Sequence, residues 1–200
     1  METVNKTSKT VLLIMFKDFS TTHTITSLAK QLKLSGVGMW KVLKKLEVER
    51  YIDLKSVGSG KTSTSLVKIN WENPLLEKTI SLYLTEEAVK QRRWQVNFAE
   101  LERTIDFVVL YGSILHSQQE ANDIDVLTVN KKSNFINIQK IIDKVQKTQT
   151  KKIHAISFTE TEFKLELKKS NQAFIEALKK GIVLFGQDSF VRFIKGMIHD

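Results

Sequence analysis

The chain contains no cysteine. That excludes a disulfide framework, thiolate zinc sites and a cysteine nucleophile. It holds a single proline, Pro74, which suits the first turn of a helix. Breakers are few from there to about position 103, and Leu75, Leu76, Ile80, Leu84, Val89, Trp94, Phe98 and Leu101 fall at helical spacing, so one or two helices are expected. No apolar run approaches the roughly 18 to 20 residues that a bilayer demands. The start, METVNKTSKT, lacks the charged head and apolar body of a secretory signal. No membrane partner and a cytoplasmic location are the expectation.

What is present begins with charge. The net charge of +9 is uneven: residues 1–70 carry twelve Lys/Arg against five Asp/Glu, a net of +7, whereas residues 71–200 carry a net of +2. A polyanion meets the N-terminal third first. Lysine used only for solubility gives the same composition, so charge alone does not decide. Two hundred residues fit one large domain or two small ones, and the ordinary apolar fraction allows a real core.

The first third reads as three helices and a hairpin. Lys9 to Phe19 has a broad apolar face, and Thr26 is the expected cap of a short helix carrying Leu28, Ala29 and Leu32. Ser35 is the expected N-cap of a third helix, with Met39, Val42, Leu43 and Leu46 on one side and Gly38, Trp40, Lys41 and Lys44 on the other. YIDLKSV and TSLVKIN follow as short β-type runs joined by GSGKTS. GSGKT is not a P-loop: the first glycine of that motif belongs at position 55, where Lys55 stands, and the loop joins two strands.

LSGVGMWKVLKKLEVERYIDL resembles the winged helix-turn-helix DNA-binding domains, in which the third helix enters the major groove and the wing rests on the backbone. The resemblance implies DNA contacts by Trp40, Lys41, Lys44 and, in the wing, Lys61. This helix begins with small and apolar residues, which favours backbone binding over base reading. A winged helix used for dimerisation or protein docking is the alternative.

The remainder alternates strands with helices, which indicates an α/β or α+β domain with one mixed sheet. Its informative stretch is VVLYGSILHSQQEANDIDVLTV, from Val108 to Val129. In a strand, Asp123 and Asp125 project to one face and Ile124 and Val126 to the other. Two carboxylates about 6.5 to 7 Å apart repel unless a divalent cation is shared, and Mg²⁺ with waters and phosphate oxygens suits such a pair. Gly112 and Ser113, expected to open a helix, offer amide donors and a hydroxyl to phosphate.

YGS, nine residues and DIDVLTV together resemble the minimal members of the DNA polymerase beta-like nucleotidyltransferase superfamily, over about residues 106–158. With the winged-helix resemblance and the helical spacing after Pro74, the expected chain is α+β: a winged helix of three helices and a hairpin (1–70), a helical linker (71–103) and a nucleotidyltransferase-like domain with a small mixed sheet and flanking helices (104–200). The nucleotidyltransferase resemblance assigns nucleotide binding to Gly112 and Ser113, and metal ligation to Asp123 and Asp125. The family's third carboxylate falls in KIHAISF, where His154 stands and completes the catalytic set. A neutral imidazole there can bind a softer ion such as Mn²⁺, act as a base, or simply line a dead cleft. Glu160 and Glu162 are candidate substitutes for the lost carboxylate. The small residue, Arg and Gly that often follow Gly-Ser are also replaced, leaving His116, Lys131 and Lys132 as candidate cations. Lys90, Arg92 and Arg93 read as a solvated basic face.

Two functions follow. One is a Mg²⁺-dependent nucleotidyltransferase, with ATP as the expected NTP, that serves an unidentified acceptor while bound to DNA. The other is a DNA-binding transcriptional regulator or antitoxin-like protein whose impaired domain senses a nucleotide without turnover. The resemblance also brings a small helical partner protein and a homodimer as expected partners.

Overall fold

The structure, a computed structural model, describes residues 6–58 and 64–199. It is a mixed α+β fold with two separate small sheets, and the chain divides into two compact units, Met1–Ile80 and Ser81–Asp200. The division falls inside a helix, α4 (Leu76–Val89).

In the first unit, α1 (Lys6–Lys17), a two-residue strand β1 (His23–Thr24), α2 (Ile25–Gln31) and α3 (Gly36–Val48) precede strands β2 (Ile52–Val57) and β3 (Thr64–Ile69). The three strands form an antiparallel sheet in the order β1-β3-β2. Apolar positions three and four apart put Val11, Leu12 and Phe16 of α1 into one core with Leu28 of α2 and Met39, Leu43 and Leu46 of α3. Ser35 caps α3 as its type suggests, its Oγ accepting from Gly38 N at 3.0 Å. The cap of α2 is Thr24, not Thr26. Thr24 Oγ1 accepts from Ser27 N and Ser27 Oγ accepts from Thr24 N, a reciprocal pair that Thr26 does not make. Arg50, at φ 60°, ends α3 in the left-handed region, and the Tyr51 amide returns to Leu46 O at 2.9 Å, which sets the direction of β2.

In the second unit, α5 (Arg92–Asn97) and a 3₁₀ turn (Ala99–Leu101) lead into a four-stranded sheet. Its strands are β4 (Phe107–Tyr111), β5 (Asp123–Val129), β6 (Lys152–Phe158) and β7 (Ile182–Phe185), in the order β6-β5-β4-β7. The sheet is mixed: β4 is antiparallel to β5 and β7, and β5 is parallel to β6, the crossover being α6 (Phe135–Gln146). Three further helices complete the unit: α7 (Glu160–Lys168), α8 (Gln172–Lys180) and α9 (Gln187–His199).

Strand periodicity assigns each sheet face a task. One face, carrying Val108, Leu110, Ile124, Val126 and Ile153, packs with Trp94, Phe98 and the buried side of α6. On the other face, paired residues form rows along the strands: Phe107–Val129–Phe158, then Val109–Leu127–Ile156, then Tyr111–Asp125–His154, and last Asp123–Lys152. The first row lies beneath aromatic residues of α7 and α9, Phe107 standing 5.1 Å from Phe190 and 5.3 Å from Phe193 between ring centroids, and Phe158 5.4 Å from Phe163. The face thus passes from aromatic to charged within four rows, with Asp123 and Asp125 half-buried and Lys152 and His154 exposed.

Candidate metal centre

The charged rows arise from two strand alternations in register. Because Asp125 pairs with His154 in a parallel ladder and with Tyr111 in an antiparallel one, all three side chains share a face. His154 Nδ1 stands 3.3 Å from Asp123 Oδ2 and 3.8 Å from Asp125 Oδ1. One ligand atom from each of the three lies within 4.8 Å of the others, and among the described residues no other group of three His, Asp or Glu side chains converges in this way.

The electrostatics follow from cover. Asp125 exposes 24% of its side chain against 33% for Asp123 and 46% for His154. Burial therefore raises the Asp125 pKa above its ordinary value; the charge of Asp123 raises it further, and His154 opposes both. Tyr111 is also pushed up, first by burial and then by Asp125 and Asp123. Its hydroxyl stays protonated and can donate a hydrogen bond but cannot serve as a base.

Gly112 explains how the carboxylate comes so close to the end of β4. Its φ of 81° and ψ of −165° belong to a region that side-chain-bearing residues essentially do not use, and a Cβ added there would overlap Asp125 Oδ2. Two carboxylates, an imidazole and a glycine cradle that admits Asp125 fit a divalent cation, which Asp123, Asp125 and His154 would hold.

The Gly-Ser pair does not open an α-helix. Ser113 is exposed and begins a single 3₁₀ turn, Ser113–Leu115, because the following HSQQEAN stretch has almost no apolar face to pack. That loop is tied down instead: Lys151 Nζ donates to Gln119 O at 3.2 Å and to Ala121 O, and Arg93 donates to Gln118 Oε1 at 2.9 Å. Lys90, Arg92 and Arg93 are all exposed, as expected of a solvated basic face, and Arg93 in addition holds the loop and lies against the Trp94 ring at 4.9 Å.

Several candidate substitutes lie elsewhere. Glu160 and Glu162 follow the far end of β6, where Glu162 accepts from Thr159 N at 2.8 Å in a capping box and Glu160 pairs with Lys164 at 3.2 Å. The hydrogen bond from the Thr159 backbone is the chief reason the Glu162 carboxyl is held below its ordinary range. Lys131 and Lys132 follow the far end of β5 from Asp123. Asp125 and His154 lie about 13 Å of strand, and Asp123 about 20 Å, from those far ends, which separates all four from the site. The cation the sequence hid is Lys152, paired with Asp123 in register and exposed on the same face.

In the first unit, Trp40 and Lys41 are exposed on α3, while Lys44 is drawn to Glu47 at 2.7 Å and lies 4.8 Å from the Trp40 ring centroid. Val37 and Trp40 line an open groove of about 410 Å³ with Ile25, Thr26, Thr64 and Ser65. Lys61 lies outside the described residues. No helix among the described residues is long and apolar enough to cross a membrane. No family model, curated protein or solved structure matches this chain.

Proposed function

We propose that residues 104–200 form a cation-dependent nucleotidyltransferase of the polymerase beta-like type, acting on an NTP, with ATP the first to test, and that residues 1–70 bind DNA in the winged-helix manner. The observation that carries the first part is the convergence of Asp123, Asp125 and His154 beside the Gly112–Ser113 turn. A divalent ion bound there supplies charge neutralisation for the triphosphate and makes an attacking hydroxyl more acidic. Asp123 and Asp125 hold and orient, Ser113 and Lys152 take phosphate oxygens, and Tyr111 donates a hydrogen bond from a hydroxyl that keeps its proton. The test is incubation with α-labelled NTPs and Mg²⁺ or Mn²⁺, scoring label on the protein or on added acceptors. Absence of transfer from every NTP, with nucleotide binding intact, would reject turnover.

One observation favours the second reading, a regulator that senses a nucleotide without turnover. The position of the third carboxylate holds an imidazole that already lies against Asp123. A site with two carboxylates retains a charge fit for one metal–nucleotide complex but has less to offer a second ion. The same labelling experiment separates the two, since the regulator binds label and transfers none.

Lys152 yields a direct expectation. Lys152 pairs in register with Asp123 and is exposed on the same face, within reach of phosphates on a metal-held nucleotide, so Lys152→Ala should weaken NTP binding by roughly tenfold, a lost charge-assisted hydrogen bond. Binding of the cation alone should hold or strengthen. Titrating NTP and cation separately checks this, and equal losses for both would place Lys152 in the scaffold.

Support for DNA binding is the order helix, short strand, two helices and hairpin, with Trp40 and Lys41 facing solvent. Because Lys44 is partnered by Glu47, Lys41→Ala should cost more affinity than Lys44→Ala. Each lost phosphate contact should flatten the salt dependence by about one unit of log–log slope. Unchanged slopes in both variants would mean that this helix docks protein.

A further inference from the structure

We infer that His154 sets the ion preference of the centre: the Asp123–Asp125–His154 triad selects a first-row transition ion such as Mn²⁺ over Mg²⁺. This deepens the cation-site reading above and rests on it.

The argument starts from which atoms face one another. The nitrogen nearest the carboxylates is Nδ1, at 3.3 Å from Asp123 Oδ2 and 3.8 Å from Asp125 Oδ1. Two ligand atoms on one small octahedral ion stand roughly 3 Å apart when adjacent and roughly 4 Å apart when opposite. The imidazole–carboxylate separations already fall in that range, and one ligand atom from each of the three residues lies within 4.8 Å of the others, so a small closure brings the set onto one ion. The imidazole is therefore placed to ligate as part of the set. Its placement does not depend on a flexible loop, since His154 lies inside β6 with Ile153 and Ala155 packed on the opposite face.

Ligand chemistry then decides between ions. Mg²⁺ is hard, dehydrates reluctantly and gains little by exchanging a water for a neutral nitrogen. Imidazole bonding strengthens through the first-row transition series, so the nitrogen adds affinity for Mn²⁺, Co²⁺ or Zn²⁺ that it does not add for Mg²⁺. A third carboxylate at position 154 would instead add a negative charge, which serves Mg²⁺ well. With no cysteine in the chain, no thiolate competes to make a closed tetrahedral zinc site, and three protein ligands leave positions for water or phosphate.

The experiment measures binding, not turnover. Free Mn²⁺ is followed by its EPR signal in titrations of the full chain, Mg²⁺ affinity is obtained by competition, and the ratio of the two dissociation constants is compared with those of His154→Asp and His154→Ala, with circular dichroism confirming the fold. In His154→Asp the preference for Mn²⁺ over Mg²⁺ should shrink by roughly tenfold, chiefly through tighter Mg²⁺ binding. His154→Ala should lose Mn²⁺ affinity while Mg²⁺ affinity barely changes, and the visible absorption of the Co²⁺-loaded protein should lose intensity with the nitrogen. A ratio that stays within about twofold in both variants overturns the inference and leaves the cation site standing. A folded wild-type chain that binds neither ion overturns the cation-site reading itself.

Discussion

Replacing both Asp123 and Asp125 by Asn should abolish any nucleotidyl transfer that the labelling assay detects and any thermal stabilisation by divalent ions, and should raise the melting temperature of the ion-free protein. These effects come from one feature. The two carboxylates project from one strand onto a half-buried face, and burial together with the charge of Asp123 holds the Asp125 pKa above its ordinary value. A pair of like charges a few ångströms apart in a partly wet site costs on the order of 1 kcal/mol. For a unit of this size that corresponds to roughly 3 °C in Tm. Asn keeps the shape and removes the charge, so the ion-free variant gains what the ion would otherwise neutralise.

The pH dependence has a definite sign. A carboxyl whose folded pKa is raised binds more protons folded than unfolded, so stability falls as pH rises from the unfolded value through the folded one. The wild-type ion-free protein should therefore lose stability on passing upward through the aspartate range, and the double variant should lose less. Differential scanning fluorimetry with and without Mn²⁺ reads both effects, and the labelling assay reads the chemistry. Transfer that survives in the double variant would mean that the active site lies elsewhere. A lower ion-free Tm would mean that these carboxylates stabilise the fold through contacts with their neighbours.

The parts of this site that could be read in the sequence are local, and the parts that could not depend on distant pairing. Asp123 and Asp125 facing away from Ile124 and Val126 follows from the two-residue period of a strand, as the cap at Ser35 follows from its type and position. Lys152 and Tyr111 were invisible because their membership depends on how β6 and β4 align with β5, and a one-residue slip would turn each to the other face. Glu162 misled for the opposite reason. It looked like a spare carboxylate, yet TETE is a Thr-x-x-Glu capping box, and the structure uses it as one. At α2 the sequence points to Thr26, but the reciprocal bonds with Ser27 make Thr24 the cap. The Gly-Ser turn stops after one 3₁₀ turn because a polar loop gives a longer helix nothing to bury.

Gly112→Ala should cost as much in ion binding as in stability, and the two losses have separable causes. The backbone at Gly112, φ 81° and ψ −165°, is a conformation that an alanine reaches at a cost of about 1 to 3 kcal/mol. Its new methyl would also overlap Asp125 Oδ2 and press on Cγ, so the carboxylate must leave the triad or the turn must shift. Displacing one of three ligands should lower Mn²⁺ affinity by at least roughly tenfold, about 1.4 kcal/mol. A double-mutant cycle with Asp125→Ala separates strain from collision, because the Asp125 Cβ lies only at ordinary contact distance from the added methyl. In the Asp125→Ala background, Gly112→Ala should cost less stability than in wild type, by an interaction energy of about 1 kcal/mol. Simple additivity would assign the whole effect to backbone strain, and Gly112 would then serve the turn after β4 alone. A clear coupling would show that this glycine is needed for the space it leaves, which is the space that brings Asp125 beside Asp123 and His154.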